Sequence, residues 1–332
     1  SRSIAPALAC GNTVVAKPAQ LAPMAVHELG RAASDAGLPD GVLNIVSGRG
    51  STAGEALVTN DRISELTFTG SKAVGLHIRE SVSDRLIPLN LELGGKSPNI
   101  VFPSADLDNA VNGIIKGIFA ATGQTCLAGS RVFVHQDVAD DVIQRLSERA
   151  EGISLGDPMN PETEMGPVAF REQWEKVRHY IDIGTDEGAT VAYGGEQPDD
   201  LPGECFIQPT VLVDVENDMT VAQEEIFGPV VSIITFDDEE TAVELANETR
   251  YGLAAGIWTE DIRQAHRVAA NIDAGTIWTN EYRVVSRMSP FGGAKDSGIG
   301  RENGREGIEE YRQTKSVWLD LTGEGSDPFT MG

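Results

Sequence analysis

A chain of 332 residues with 40% hydrophobic content and 36 glycines has room for one large domain or two ordinary ones around a substantial core. Its 51 acids against 26 basic residues, only 7 of them lysines, give a net charge of -25, which repels nucleic acid and excludes it as a partner. Three scattered cysteines exclude a disulfide framework and a paired-cysteine metal site, and no run approaches the ~20 apolar residues that span a bilayer.

These bulk features predict a cytoplasmic protein that is not bound to membranes. The acid surplus has a plain reading, an acidic soluble protein, and a sharper one, adaptation to a high-salt cytoplasm where screening removes self-repulsion. The chain opens at Ser1 without a methionine, inside an apolar helix-like segment. It reads as a piece of something longer.

In chain order, residues 1–10 predict a short helix closed by Gly11 and Asn12. TVVAKP predicts a buried parallel strand stopped by Pro18. Apolar positions at helical spacing follow over 23–36, then the strand VLNIVSG, whose glycines (Gly48, Gly50, Gly54) open the next helix. ELTFTGS is a third strand and runs into the helix GSKAVGLHIRESV. This alternation predicts a doubly wound parallel sheet.

From Lys96 the pattern resets. NIVF is a strand, ADLDNAVNGIIKGIFAATG a helix and SRVFVHQ a strand. DVADDVIQRLSERAEGI and FREQWEKVRHYIDIGTDEG are amphipathic helices. FIQPTVLVDV, PVVSIITF, LAAGIWT and AGTIWTN complete a second α/β set. VWLDL, near the end, alternates like an edge strand paired outside its own domain. The expected division is a partial cofactor-binding region at 1–93, a catalytic domain at 94–311, an oligomerisation strand at 312–322 and an acidic tail at 323–332.

Two stretches carry chemistry. Cys126 sits in FAATGQTCLAGSR between Gly123 and Gly129, where small residues let backbone and ligand approach. Placed near a helix start, such a thiol is held partly as thiolate. Thirty-four residues upstream, Glu92 interrupts the apolar run LNLELGG, a setting that raises a carboxyl pKa and suits it to proton handling. Cys10 and Cys205 lack such surroundings.

The ordered motifs GNTVVAKPA, FTGS, LELGGKSPNIVF, GQTCLAGSR, FIQPTV, EEIFGPV, YGLAAGIWT, SPFGG and KDSGIGRE together resemble the aldehyde dehydrogenase superfamily from residue 1 to about 320. The resemblance implies an NAD(P)-dependent enzyme in which Cys126 attacks the aldehyde carbon and Glu92 activates the water that releases the acid. It implies cofactor contacts at Lys17, Gly50, Gly70 and Ser71 on the adenosine and pyrophosphate side. Glu225, Phe227 and Gly94 fall on the nicotinamide side. Gln20 stands where the family often has a glutamate that repels a 2′-phosphate, so both NAD and NADP are expected.

Glu302 matches a family acid assigned to proton relay, with a plain helix-start acid as the other reading. Arg283 and Arg287, in the stretch that lines the family's substrate tunnel, are candidates for a substrate carboxylate, with surface arginines as the other reading. The resemblance also implies a homodimer or homotetramer and a small aldehyde substrate. It further implies an upstream asparagine, completing an oxyanion hole, that this chain does not include. Two other readings stand beside the hydrolytic dehydrogenase: a coenzyme A-acylating relative, against which Glu92 argues, and a truncated, non-catalytic relative.

Overall fold

The computed structural model describes residues 2–199, 201, 203–323, 325, 328 and 329. Glu324 and Asp327, the acids of the expected tail, lie outside the described residues. The centre is a seven-stranded sheet in the order Thr276–Thr279, Ala254–Trp258, Pro98–Val101, Arg131–His135, Val230–Phe236, Thr210–Val213 and Thr190–Tyr193. Every neighbouring pair is parallel except the last, where Thr190–Tyr193 runs antiparallel to Thr210–Val213.

Strand periodicity divides the core in two. Val132 and Val134 join one buried cluster, while Phe133 joins the other. Val231 and Ile233 likewise separate from Val230 and Ile234. Successive side chains on a strand point to opposite faces, so both faces of this sheet are covered. The helices Leu107–Ile118 and Ala139–Glu151 supply the first cluster; Arg171–Glu187 and Glu239–Asn247 supply the second. No described helix is long and apolar enough to cross a membrane.

The expected α/β class holds, with one difference in the first 93 residues. Their strands form two small sheets rather than one continuous doubly wound sheet among the described residues. Val14–Ala16 pairs in parallel with Leu43–Ile45. Leu66–Thr69 pairs in parallel with Leu89–Glu92, whose other edge takes Gly298–Ile299 antiparallel. A small separate core of Val58, Ile78 and Val82 packs beneath the second sheet's Leu66, Phe68 and Leu89.

The helix expected through FAATG stops earlier, at Ile118, because Ala121 and Thr122 turn into left-handed backbone at φ 56° each. VWLDL forms no strand in this chain. Its apolar alternation has no ladder partner among the described residues, and Trp318 is 92% exposed.

Candidate functional site

The Cys126 loop is set by what ends the helix before it. The helix Leu107–Ile118 begins under the Asp106 carboxylate, which accepts from the Asn109 amide. At its far end the Arg283 guanidinium donates to the carbonyls of Lys116 and Ala120, at 3.0 and 3.2 Å. Ala121, Thr122 and Gly123 then run left-handed in succession, reversing the chain into a turn that holds Cys126. The floor is polar and closed. Tyr282 donates its hydroxyl to Leu127 O at 3.1 Å, and Asn99, itself fixed by the Trp258 indole at 3.0 Å, contacts Gly129 O.

This corrects the expectation of a thiolate at a helix start. No helix begins at Cys126, and burial raises the thiol pKa, helped by the negative charges of Glu225 and Glu92. Arg2 and a backbone hydrogen bond from Leu127 oppose the rise without cancelling it.

Glu92 ends the middle strand of the three-stranded sheet and is 4% exposed. Burial pushes its carboxyl up to about 8, reinforced by Glu302 and opposed by Arg301 and Arg2. Oε1 has no hydrogen-bond partner among the described residues, and a Cβ added at Gly292 would stand 2.9 Å from it. The Gly70 amide donates to Glu92 O at 3.1 Å, which ties the start of the Lys72–Ser81 helix to this strand.

Glu302 is not at a helix start. It lies in an isolated antiparallel bridge with Phe291, 7% exposed. Its carboxylate meets the Arg2 guanidinium at 3.4 Å and the Ser3 hydroxyl at 3.2 Å. The charge acting most strongly on Glu92 is therefore another buried acid.

Three loops converge on the Gly94–Gly95 bend. The Glu225 Oε1 accepts from the Gly95 amide at 3.2 Å, and its carboxylate covers Gly94, where an added Cβ would stand 2.2 Å from Oε2. A Cβ at Gly95 would meet Cys126 O at 2.5 Å. Burial raises the Glu225 pKa, opposed by the Gly95 amide, Lys176 and Lys96. Phe227 is left-handed at φ 59° and 36% exposed, so its ring is not part of the core. Cys126, Glu92, Gly94, Glu225 and Phe227 thus belong to one neighbourhood.

The remaining expected contacts lie in the first 93 residues. Lys17 donates to Pro18 O at 2.7 Å and to Gly48 O at 3.5 Å, with its stem against Gly54. Gly50 opens a π-helical turn, Gly50–Gly54, that continues as the helix Glu55–Val58, and its α-carbon faces open space. Ser71 caps the helix Lys72–Ser81 by accepting from the Val74 amide, and Gly70 is required because a Cβ there would meet the Phe68 ring at 2.4 Å. A His77–Glu55 pair at 2.8 Å joins the two helices. Gln20 is exposed. These groups, a lysine, a free glycine face and a capped helix N-terminus, fit the adenosine and pyrophosphate half of a dinucleotide. Gly94 and Glu225 fit the other half.

Arg283 donates through Nη1 to two helix-end carbonyls. Arg287 is exposed. Sequence reading missed Lys96, Asn99, Arg131 and Tyr282, all fully or almost fully buried around the cysteine loop and the bend before it. The one available signal was Lys96, a second charge beside Glu92 in the mostly apolar run LELGGKSPNIVF.

The sequence model described as "Aldehyde dehydrogenase family" matches residues 1–317. A "Putative aldehyde dehydrogenase DhaS" from Bacillus subtilis is 44% identical over 315 residues, covering 95% of this chain and 63% of that protein. A betaine aldehyde dehydrogenase from Cereibacter sphaeroides is 45% identical over 317 residues, covering 96% and 65%. Among solved structures, the NAD+ complex of an aldehyde dehydrogenase from Bacillus cereus superposes with TM-score 0.94 at 45% identity, covering 96% of this chain and 65% of that one. A betaine aldehyde dehydrogenase from Staphylococcus aureus, also with NAD+, gives 0.91 at 39% identity, covering 93% and 62%. The chain therefore spans a little under two thirds of the length of these relatives.

Proposed function

We propose, from the premise that the chain belongs to the aldehyde dehydrogenase family, that it carries the nucleophile and the base of an enzyme oxidising an aldehyde to the carboxylic acid with NAD. The observation that carries the reading is the convergence of Cys126, buried Glu92 and Glu225 on the Gly94–Gly95 bend.

The Cys126 sulfur adds to the aldehyde carbon, and the carbonyl oxygen takes up the charge as a thiohemiacetal. A nicotinamide held beside Gly94 and Glu225 would supply the hydride acceptor for the oxidation. Glu225 and Lys17 would hold its two ribose ends, and Phe227 would pack beside it. Glu92, in its ionised form, removes a proton from water, the hydroxyl adds to the thioester carbon, and the carbon–sulfur bond breaks to return the thiolate. A base able to activate water wastes a thioester meant for coenzyme A, which favours the hydrolytic over the acylating reading. The Cys126 amide is the oxyanion donor this chain offers.

Gln20 carries no charge to repel a 2′-phosphate, so NADP is a second cofactor. Equal-order specificity constants for the two fit this reading; a thousandfold preference for NAD overturns it. Aldehydes of the kind named for the relatives, betaine aldehyde included, are the first to try. The exposed 317–321 segment pairs with a second copy in a homodimer or homotetramer, and 1–93 and 94–311 act as cofactor and catalytic units.

The test is reduction of NAD or NADP by an aldehyde panel in high salt, followed by absorbance. Wild type turns over, Cys126→Ala does not, and Glu92→Gln gives one burst of reduced cofactor followed by slow turnover. Well-folded wild type without turnover, or a Cys126→Ala variant as active as wild type, overturns the reading.

A further inference from the structure

Arg2 lies just before the helix Ile4–Ala9, and two contacts hold its guanidinium against the catalytic neighbourhood. Nη1 donates to Glu302 Oε2 at 3.4 Å, and the cation stands over the Phe291 ring, 5.2 Å from its centre. Both partners are themselves fixed. Phe291 is buried in the cluster against which Cys126 packs, and Phe291 and Glu302 exchange main-chain hydrogen bonds at 2.7 Å. The residue after Phe291 is Gly292, whose α-carbon faces Glu92 Oε1. Arg2 is thus seated on the wall that borders both the nucleophile and the base. Burial raises the pKa of Cys126 and of Glu92, and the Arg2 charge lowers both, as this placement requires.

The guanidinium is only partly used. It carries five donors in one plane, and Nη1 alone has an acceptor among the described residues. The side chain is 44% exposed, whereas Glu302 is 7% exposed. Glu302, which also takes the Ser3 hydroxyl at 3.2 Å, orients the fork from its buried side. Nε and Nη2 are left for a second carboxylate, which matches that edge with two parallel hydrogen bonds. Arg301, the other cation acting on Glu92, donates instead to the carbonyls of Gly293 and Gly300. Of the two acids near Arg2, Glu302 is paired with it, and Glu92, pushed up to about 8, holds its proton at neutral pH.

We propose that Arg2 is a specificity-determining residue: the free edge of its fork takes the carboxylate of an aldehyde acid, so the site selects semialdehydes and disfavours aldehydes that carry a quaternary ammonium. The inference rests on the reading of Cys126 as the nucleophile of an aldehyde oxidation and names the substrate class of that site. It separates this chain from the relatives named for betaine aldehyde. The charge of -25 repels an anionic substrate at long range, but molar salt screens that repulsion to about 3 Å and leaves the contact with Arg2 to decide.

Two readouts test this, one with turnover and one without. In the first, kcat/KM is measured for wild type, Arg2→Gln and Arg2→Lys with two matched pairs: succinic semialdehyde against butanal, and betaine aldehyde against its uncharged isostere 3,3-dimethylbutanal. Ratios within a pair cancel any change in the nucleophile or the fold. In Arg2→Gln the first ratio is expected to fall roughly ten- to a hundredfold, as for loss of a charge-assisted contact, and the second to rise. Arg2→Lys, which keeps the charge and loses the fork, recovers part of the first ratio. In the second readout, alkylation of Cys126 by iodoacetate and by iodoacetamide is followed by mass spectrometry. The rate ratio of the anionic to the neutral reagent is expected to fall several-fold in Arg2→Gln and to hold in Arg2→Lys.

A substrate ratio or an alkylation ratio that Arg2→Gln leaves unchanged overturns the inference, as does wild type that prefers betaine aldehyde to its uncharged isostere. Wild type that oxidises no aldehyde overturns the proposed function instead, and the alkylation arm still decides on Arg2.

Discussion

Gly123 and Gly228 meet so closely that a Cβ added to Gly123 would stand 2.1 Å from the Gly228 carbonyl oxygen. Gly123 ends the left-handed run before the nucleophile, and Gly228 follows Phe227 on the cofactor side. The contact joins the loop that carries the thiol to the loop that carries Glu225. Because Gly123 is also at φ 68°, alanine there meets both backbone strain and collision. Gly123→Ala is expected to cost about 3 kcal/mol in a urea melt and to depress turnover. Unchanged stability would show that the two loops are free of each other.

Glu92 should leave its signature in stability. Its folded pKa, about 8, stands above the unfolded value of 4.5, so the native state holds the proton more tightly. The stabilisation is complete below the unfolded pKa and is lost as pH rises toward 8. Glu92→Gln, which never ionises, escapes this loss. Its melting temperature relative to wild type is expected to climb between pH 5 and pH 8. In activity, water activation needs the carboxylate, so wild-type turnover limited by that step rises with pH through about 8.

Arg283 gives a different contrast. Its two hydrogen bonds to Lys116 and Ala120 carbonyls terminate the helix in front of the cysteine loop. Arg283→Met is expected to lower stability by about 1–2 kcal/mol, with no change in KM for a semialdehyde relative to an uncharged aldehyde. A selective rise in KM for the carboxylate-bearing substrate would return the side chain to substrate recognition.

The charge of -25 predicts a salt response. At molar KCl the screening length falls to about 3 Å, shorter than most separations between surface charges. The unfolding midpoint should rise steeply from low salt to molar KCl. A flat profile would mark an ordinary acidic surface.

Much of this was legible in the sequence because periodicity and burial are local. The helix expected over 23–36 is Met24–Asp35, and the strand expected at NIVF is Pro98–Val101. Glu92 was visible as a charge inside an apolar strand, and the helix Lys72–Ser81 as the run after ELTFTGS. What escaped depends on distant neighbours. The left-handed turn at Ala121 and Thr122 has no residue signal of its own, since neither is the glycine such backbone favours. The bonds from Arg283 to the helix end join residues 167 and 163 positions apart, which only the fold brings together. The two small sheets at the start depend on pairings between strands of three or four residues, which alternation alone does not decide.

The exposed end of the chain has an optical consequence. Of the four tryptophans, Trp258 and Trp278 are buried, Trp174 donates its indole to Phe206 O from a half-buried position, and Trp318 stands in solvent. Its emission is red-shifted and open to iodide quenching for as long as nothing covers it. Anything that docks on 317–321 would blue-shift that one component and protect it, so the chain carries its own dye for assembly.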